Sequence, residues 1–151
     1  EVIPQIEPTE FGWTSVARWR DYRSRDATPR PGAARYECGT LNTAGCFGMR
    51  AAIDLLLEVG IERIGERVAG VARRIAAGVQ DHGYQVLAEP DGESASGIVA
   101  FRKDGVDAVE AVARLAAQGI AVAPRLGWIR ASPHFYASDA EVEKLLEALQ
   151  S

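Results

Sequence analysis

Lysine is nearly absent from this 151-residue sequence: Lys103 and Lys144 stand against fifteen arginines. Chemistry that needs an amine nucleophile on this chain therefore has two candidates. Cysteine is as sparse. Cys38 and Cys46 have seven residues between them, with no Cys-x-x-Cys pair and no clustered histidines. That pattern weighs against a zinc or redox site and calls for no oxidising compartment. No apolar run approaches a membrane span and the start carries no signal-peptide pattern, so the sequence predicts a cytoplasmic chain without a membrane partner. Basic charge is not in excess either. Lys and Arg number 17 against 21 Asp and Glu, a formal net charge of −4, which argues against a general nucleic-acid binder. Internal repeats and low-complexity tracts are absent.

What is present is ordinary globular composition, 47% hydrophobic and 25% charged, at a length that supports one domain with a sizeable core. Residues 1–34 are the exception. Pro4, Pro8, Pro29 and Pro31 punctuate a segment that carries Phe11, Trp13, Trp19, Tyr22 and five arginines. Its aromatics follow neither helical nor strand period. An arm laid on something larger and an arm packed on this chain's own core both fit that pattern.

From residue 35 onward the periodicities are clear. Asn42 or Thr43 caps a helix bearing Phe47, Met49, Ala52, Ile53, Leu56 and Leu57. Gly60 breaks it, and Ile61, Ile64, Val68, Val71, Ile75 and Val79 mark a second helix with a charged outer face, ending at a surface His82. Short strands are expected at Tyr84–Leu87 and Ile98–Phe101, with a turn-rich loop from Glu89 to Gly97 between them. A third helix follows Gly105 with Val106, Val109, Val112 and Leu115. Strands at Ile120–Ala123 and Trp128–Ser132 come next. Ser138-Asp139-Ala140-Glu141 is a capping-box signature for the last helix. The order predicts an α+β fold: a small, mostly antiparallel sheet of about four strands, with helices packed on one face.

Two stretches carry candidate chemistry. Gly39-Thr40 precedes a helix start, where backbone N–H groups and a hydroxyl can seat an anion. The motif is common, and alone it is weak. Arg125 to Tyr136 holds Arg125, Arg130, Ser132, His134 and Tyr136. A guanidinium is a rigid fork that matches a carboxylate, and two of them across a Gly-Trp step can converge on one anion. By spacing alone the commoner case is a hairpin with solvated arginines.

Together the stretches point further. Arg35-Tyr36-Glu37-Cys38-Gly39-Thr40-Leu41-Asn42, with Gly45 and Glu58-Val59-Gly60-Ile61-Glu62-Arg63-Ile64 beyond it, closely resembles the class V aminotransferase family. These are fold type I pyridoxal-phosphate enzymes that include cysteine desulfurases and isopenicillin-epimerase-like proteins. Ile129-Arg130-Ala131-Ser132-Pro133-His134-Phe135-Tyr136 is similar to that family's C-terminal Arg-x-Ser-Pro-His-Phe-Tyr-Asn signature. Gly12-Trp13-Thr14-Ser15 resembles its Gly-Trp step. The resemblance covers essentially the whole chain.

It implies the C-terminal portion of such an enzyme: residues 1–34 as an extended arm from the end of the large domain, and residues 35–151 as the connecting helix plus small domain. Arg130 would bind the substrate α-carboxylate, with Arg125 near the same pocket. Gly39 and Thr40 would contact the cofactor phosphate of the other subunit in a homodimer. No metal is implied. The family's Schiff-base lysine lies ahead of the Gly-Trp step, and neither Lys103 nor Lys144 has its context. The resemblance thus implies that pyridoxal phosphate is not held covalently by this chain, that no catalytic residue lies on it, and that a missing N-terminal domain is its partner. Desulfurases carry a nucleophilic cysteine between the two C-terminal arginines. Here Leu126-Gly127-Trp128-Ile129 joins Arg125 to Arg130 with no cysteine, which tells against persulfide chemistry, and the apolar surroundings of Cys46 suit a buried thiol. Leu41 and Ala137 depart from the family's usual proline and asparagine. The alternative is a non-catalytic, freestanding binding or dimerisation module that keeps the fold.

Overall fold

The computed structural model describes residues 2–88 and 96–150, with Pro4 described by its backbone only. The loop expected from Glu89 to Gly97 lies outside the described residues as far as position 95. The chain divides into two compact units, Glu1–Ile53 and Asp54–Ser151.

The second unit is the α+β element foreseen in the sequence. Its order is α1 (Thr43–Val59, shared with the first unit), α2 (Ile61–Asp81), β1 (Gln85–Val86), β2 (Val99–Arg102), α3 (Ala108–Ala117), β3 (Ala123–Arg125), β4 (Trp128–Ala131) and α4 (Asp139–Ala148). The strands form one antiparallel sheet in the order β1-β2-β4-β3. Alternation along the central strands assigns the two faces. Val99, Phe101, Ile129 and Ala131 are buried, and they pack with Val71, Ile75 and Val79 of α2, Ala111 and Leu115 of α3, and Val142 and Leu145 of α4. All three helices therefore cover one face, as the period-3.6 stripes require. Tyr84 meets Phe101 edge to face at 5.4 Å between centroids, and burial pushes the Tyr84 hydroxyl's pKa up.

Local signals set the ends of these elements. At α4, Ser138 Oγ accepts from the Glu141 amide at 3.2 Å, and the Glu141 carboxylate accepts from the Ser138 amide at 2.7 Å, completing the expected capping box. Those bonds hold the Glu141 carboxyl below the usual carboxylate range. Between α2 and α4, Asp139 sits 3.1 Å from Arg67 and 3.0 Å from Arg74, which also pairs with Glu143. The Arg67 hydrogen bond, and then the Arg74 charge, lower the Asp139 pKa.

Three expectations shift. The α3 cap is Asp107, whose carboxylate accepts from the Val109 and Glu110 amides at 2.9 Å; helix proper begins two residues after Val106. The third strand is Ala123–Arg125 in place of Ile120–Ala123. Gly119 at φ 75° turns the chain, and the Ile120 amide returns to the Leu115 carbonyl at 3.0 Å, so the α3 terminus consumes residues 119–120. Pro124 is tolerated because β3 is an edge strand. His82 is partly buried at the α2 terminus, with Nε2 3.0 Å from the Gln150 side chain.

The first unit is built differently. Its buried residues, among those described, are Thr14 and Ser15. Thr14 Oγ1 donates to the Glu37 carbonyl at 2.5 Å and Ser15 Oγ donates to the same oxygen at 3.1 Å, while the Gly12 amide donates to Ser15 Oγ at 3.1 Å. A polar staple thus replaces an apolar core. Tyr36 Oη adds a bond of 2.8 Å to the Ile6 carbonyl from the 3₁₀ turn Gly32–Tyr36.

Helix α1 departs most from expectation. None of its residues is buried; Phe47 is 70% and Leu57 62% exposed. Cys46 is therefore an exposed thiol, contrary to the buried one inferred from its apolar neighbours. The apolar spacing marked a helix correctly, but a face that has nothing packed on it leaves its cysteine in solvent.

Candidate functional site

In the second unit the candidate arginines lie on the sheet face opposite the helices. Leu126 and Gly127 join β3 to β4 with φ of 49° and 82°, the two positive angles of a tight hairpin that matches strand twist. The turn fixes the register. Arg125 pairs with Trp128 and Ala123 with Arg130, so Arg125, Trp128 and Arg130 project from one face, with Ile129 from the other. Arg130 is partly buried, and its Nε is shielded from solvent without a hydrogen-bond partner. Among the described residues neither Arg130 nor Arg125 forms an ion pair. A guanidinium with no ion-pair partner is able to receive an anion through its terminal Nη pair by charge-assisted hydrogen bonds.

The same register brings in a residue that sequence reasoning missed. Ala100 pairs with Arg130 and Phe101 with Ile129, which sets Arg102 beside Trp128 on the open face. Its guanidinium carbon lies 4.6 Å from the Trp128 ring centroid, and its Nε donates to Gln85 Oε1 at 3.2 Å. The alternation of β2 carries the signal for its face, but only the pairing tells which residue it meets.

The first unit holds the other pair. At Gly12 and Gly39 two of its segments come into close contact. A Cβ on Gly12 would sit 1.5 Å from the Cys38 carbonyl oxygen, and one on Gly39 would sit 3.3 Å from Trp13 Nε1. The Gly-Trp step and the Gly-Thr step thus pack directly together; Gly12 admits no side chain, and Gly39 makes a close contact with the Trp13 ring. Thr40 is exposed, and its hydroxyl has no hydrogen-bond partner among the described residues. It is free to donate to a phosphate. Asn42 caps α1 by accepting from the Gly45 amide at 2.9 Å, so part of the anion seat expected from that helix start is taken by its own cap.

Other titratable groups stand apart from these sets. His134 stacks on Tyr136 at 4.4 Å and contacts Phe135 at 4.7 Å. His134 and Tyr136 line a cavity of about 410 Å³ between the ends of α3 and α4, together with Pro133 and Lys144; neither Arg125 nor Arg130 lines it. Lys103 Nζ donates to the His82 carbonyl at 2.9 Å and lies 5.4 Å from the Tyr84 ring centroid. No group of three metal-ligating side chains occurs among the described residues, and no helix there is long and apolar enough to cross a membrane.

Comparison with known proteins is decisive on kinship. The aminotransferase class-V family profile matches residues 1–145. The chain belongs to the class V aminotransferase family. Relatives include a probable cysteine desulfurase of Methanothermobacter thermautotrophicus, 27% identical over 78% of this chain and 33% of that protein. The cysteine desulfurase of Haloferax volcanii is 24% identical over 100% of this chain and 38% of its own length. The uncharacterised aminotransferase YcbU of Bacillus subtilis is 28% identical over 78% of this chain and 31% of its own length. Among solved structures, an apo cysteine desulfurase from Thermococcus onnurineus NA1 superposes with a TM-score of 0.84 at 23% identity, covering 99% of this chain and 40% of that one. The cystine C-S lyase C-DES, solved with its product cysteine persulfide, gives 0.83 at 23% identity, over 98% and 39%. These likenesses establish the fold. The chain spans between about a third and two-fifths of the length of these relatives.

Proposed function

We propose that this chain supplies the small-domain half of the substrate site of a cytoplasmic, pyridoxal-phosphate-dependent class V enzyme acting on an amino-acid-type substrate. Arg130 receives the α-carboxylate through its terminal Nη pair, because its Nε is enclosed. Arg125 adds positive charge on the same face. Gly39 and Thr40 meet the cofactor phosphate of a partner subunit, and the partners are a lysine-bearing large domain and a second copy. Bound there, the cofactor supplies an electron sink for substrate bonds. This chain's own residues bind and orient. The exposed apolar side chains of α1 support a reading in which further protein covers them.

The observation that carries this reading is the Arg130 guanidinium without an ion-pair partner, on the strand where the motif resemblance implies the carboxylate arginine. The tight Leu126-Gly127 turn leaves no cysteine-bearing loop between the arginines, which favours chemistry other than persulfide transfer. The test is kinetic. In an enzyme that carries these residues behind a lysine-bearing large domain, Arg130→Ala removes charge-assisted hydrogen bonds of about 1.5–3 kcal/mol each. The Michaelis constant is expected to rise roughly tenfold or more, with a smaller change in kcat. Unchanged kinetics would remove Arg130 from the site.

A further inference from the structure

The open face of the sheet carries more positive charge than one α-carboxylate needs. Arg130 lies diagonal to Arg102 on one side, through its partner Ala100, and diagonal to Arg125 on the other, through its partner Ala123. Diagonal neighbours are about 7–8 Å apart between backbones, and arginine side chains reach across that distance. Arg102 and Arg125 flank Trp128 on opposite sides, about 10 Å from each other by two strand spacings. Three arginines thus stand next to Trp128 in the register of one sheet face, with the Arg102 guanidinium against the ring. None of the three forms an ion pair among the described residues, although acidic residues outnumber basic ones in the chain.

Arg102 is also held in place. Its guanidinium carbon lies over the Trp128 ring at 4.6 Å from the centroid, and the bond from Nε to Gln85 uses one edge of the fork. The terminal Nη edge is left for an acceptor. An arginine fixed in this way binds an anion with less loss of side-chain freedom than a solvated one.

We propose that Arg102 is a specificity-determining residue that receives a second acidic group, so that the preferred substrate is an amino acid with an anionic side chain. The proposal rests on the reading that Arg130 takes the α-carboxylate. Charge complementarity selects this occupant. A monocarboxylate satisfies one fork, whereas a short diacid engages Arg130 and a diagonal neighbour at once. Of the two neighbours, Arg102 is the preorganised one.

The test compares glutarate with butyrate as probes of the 151-residue chain, at matched ionic strength, by NMR. The Trp128 indole N–H is the reporter, assigned through Trp128→Phe, and dispersed amide signals establish folding for each variant. Wild type is expected to bind glutarate roughly tenfold or more tightly than butyrate. Arg102→Gln is expected to erase that preference while leaving butyrate binding unchanged, and Arg130→Gln to weaken both. Equal binding of the two probes by wild type, or a preference that survives Arg102→Gln, would overturn the role of Arg102 and leave the carboxylate reading standing. Absence of binding, or binding indifferent to Arg130→Gln, would overturn both.

Discussion

Phe101→Ala is expected to destabilise the second unit by about 3–5 kcal/mol, the usual cost of emptying a buried aromatic site. Phe101 is fully buried in the centre of β2, between the flanking strands and under the helices. Its removal takes away the largest fully buried side chain and the edge-to-face contact with Tyr84, itself worth about 0.5–1.5 kcal/mol. Collapse refills the space only in part, because its cross-strand partner Ile129 and the core residues of α2 are fixed on a strand and a helix. Domains of this size have about 5–15 kcal/mol in hand, so the loss is a large fraction of the total. Urea unfolding followed by far-ultraviolet circular dichroism should show the midpoint falling sharply at unchanged slope. A shift equivalent to less than about 1 kcal/mol would mean that the core lies elsewhere.

Gly12→Ala is expected to be as damaging, for a different reason. The added Cβ would stand 1.5 Å from the Cys38 carbonyl oxygen and 2.2 Å from its carbon. Both are backbone atoms, so no change of rotamer relieves the collision. Overpacking a core typically costs about 1–3 kcal/mol, and a backbone collision should exceed that range. The strand of chain at Gly12 must move, and with it go the bonds from the Gly12 amide to Ser15 and from Ser15 to Glu37. The first unit has no apolar core to hold it once that staple opens. Near-ultraviolet circular dichroism is the readout, because Trp13 lies 5.6 Å from Trp19 and 6.4 Å from Tyr22. Loss of that aromatic signal is expected. A retained signal, together with slow exchange of the Arg30 amide bonded to Ser15 at 2.8 Å, would show that the staple is dispensable.

These two sites mark how much of the molecule was legible in the sequence. Phe101 sits in an apolar run whose strand period was readable, and the order of helices and strands in the second unit follows from such runs. The capping box at Ser138 was readable because its two partners are three residues apart. Gly12 and Cys38 are distant in sequence, and nothing local says that they touch. The same limit hid Arg102. Its position next to Trp128 is a product of strand register, which the Leu126-Gly127 turn and the β2–β4 pairing set together. Cys46 failed in the opposite direction: helical periodicity finds an apolar face but not what covers it.

In the proposed division of labour this chain binds and orients while the reacting amine lies elsewhere. Lys103 is engaged with the His82 carbonyl and the Tyr84 ring, and Lys144 lies on α4 facing the cavity beside His134. The most direct measurement is borohydride reduction of the 151-residue chain with one equivalent of pyridoxal phosphate, followed by peptide mass analysis. The expected result is no stoichiometric pyridoxyl adduct on either lysine. A specific, stoichiometric adduct on Lys103 or Lys144 would contradict the account.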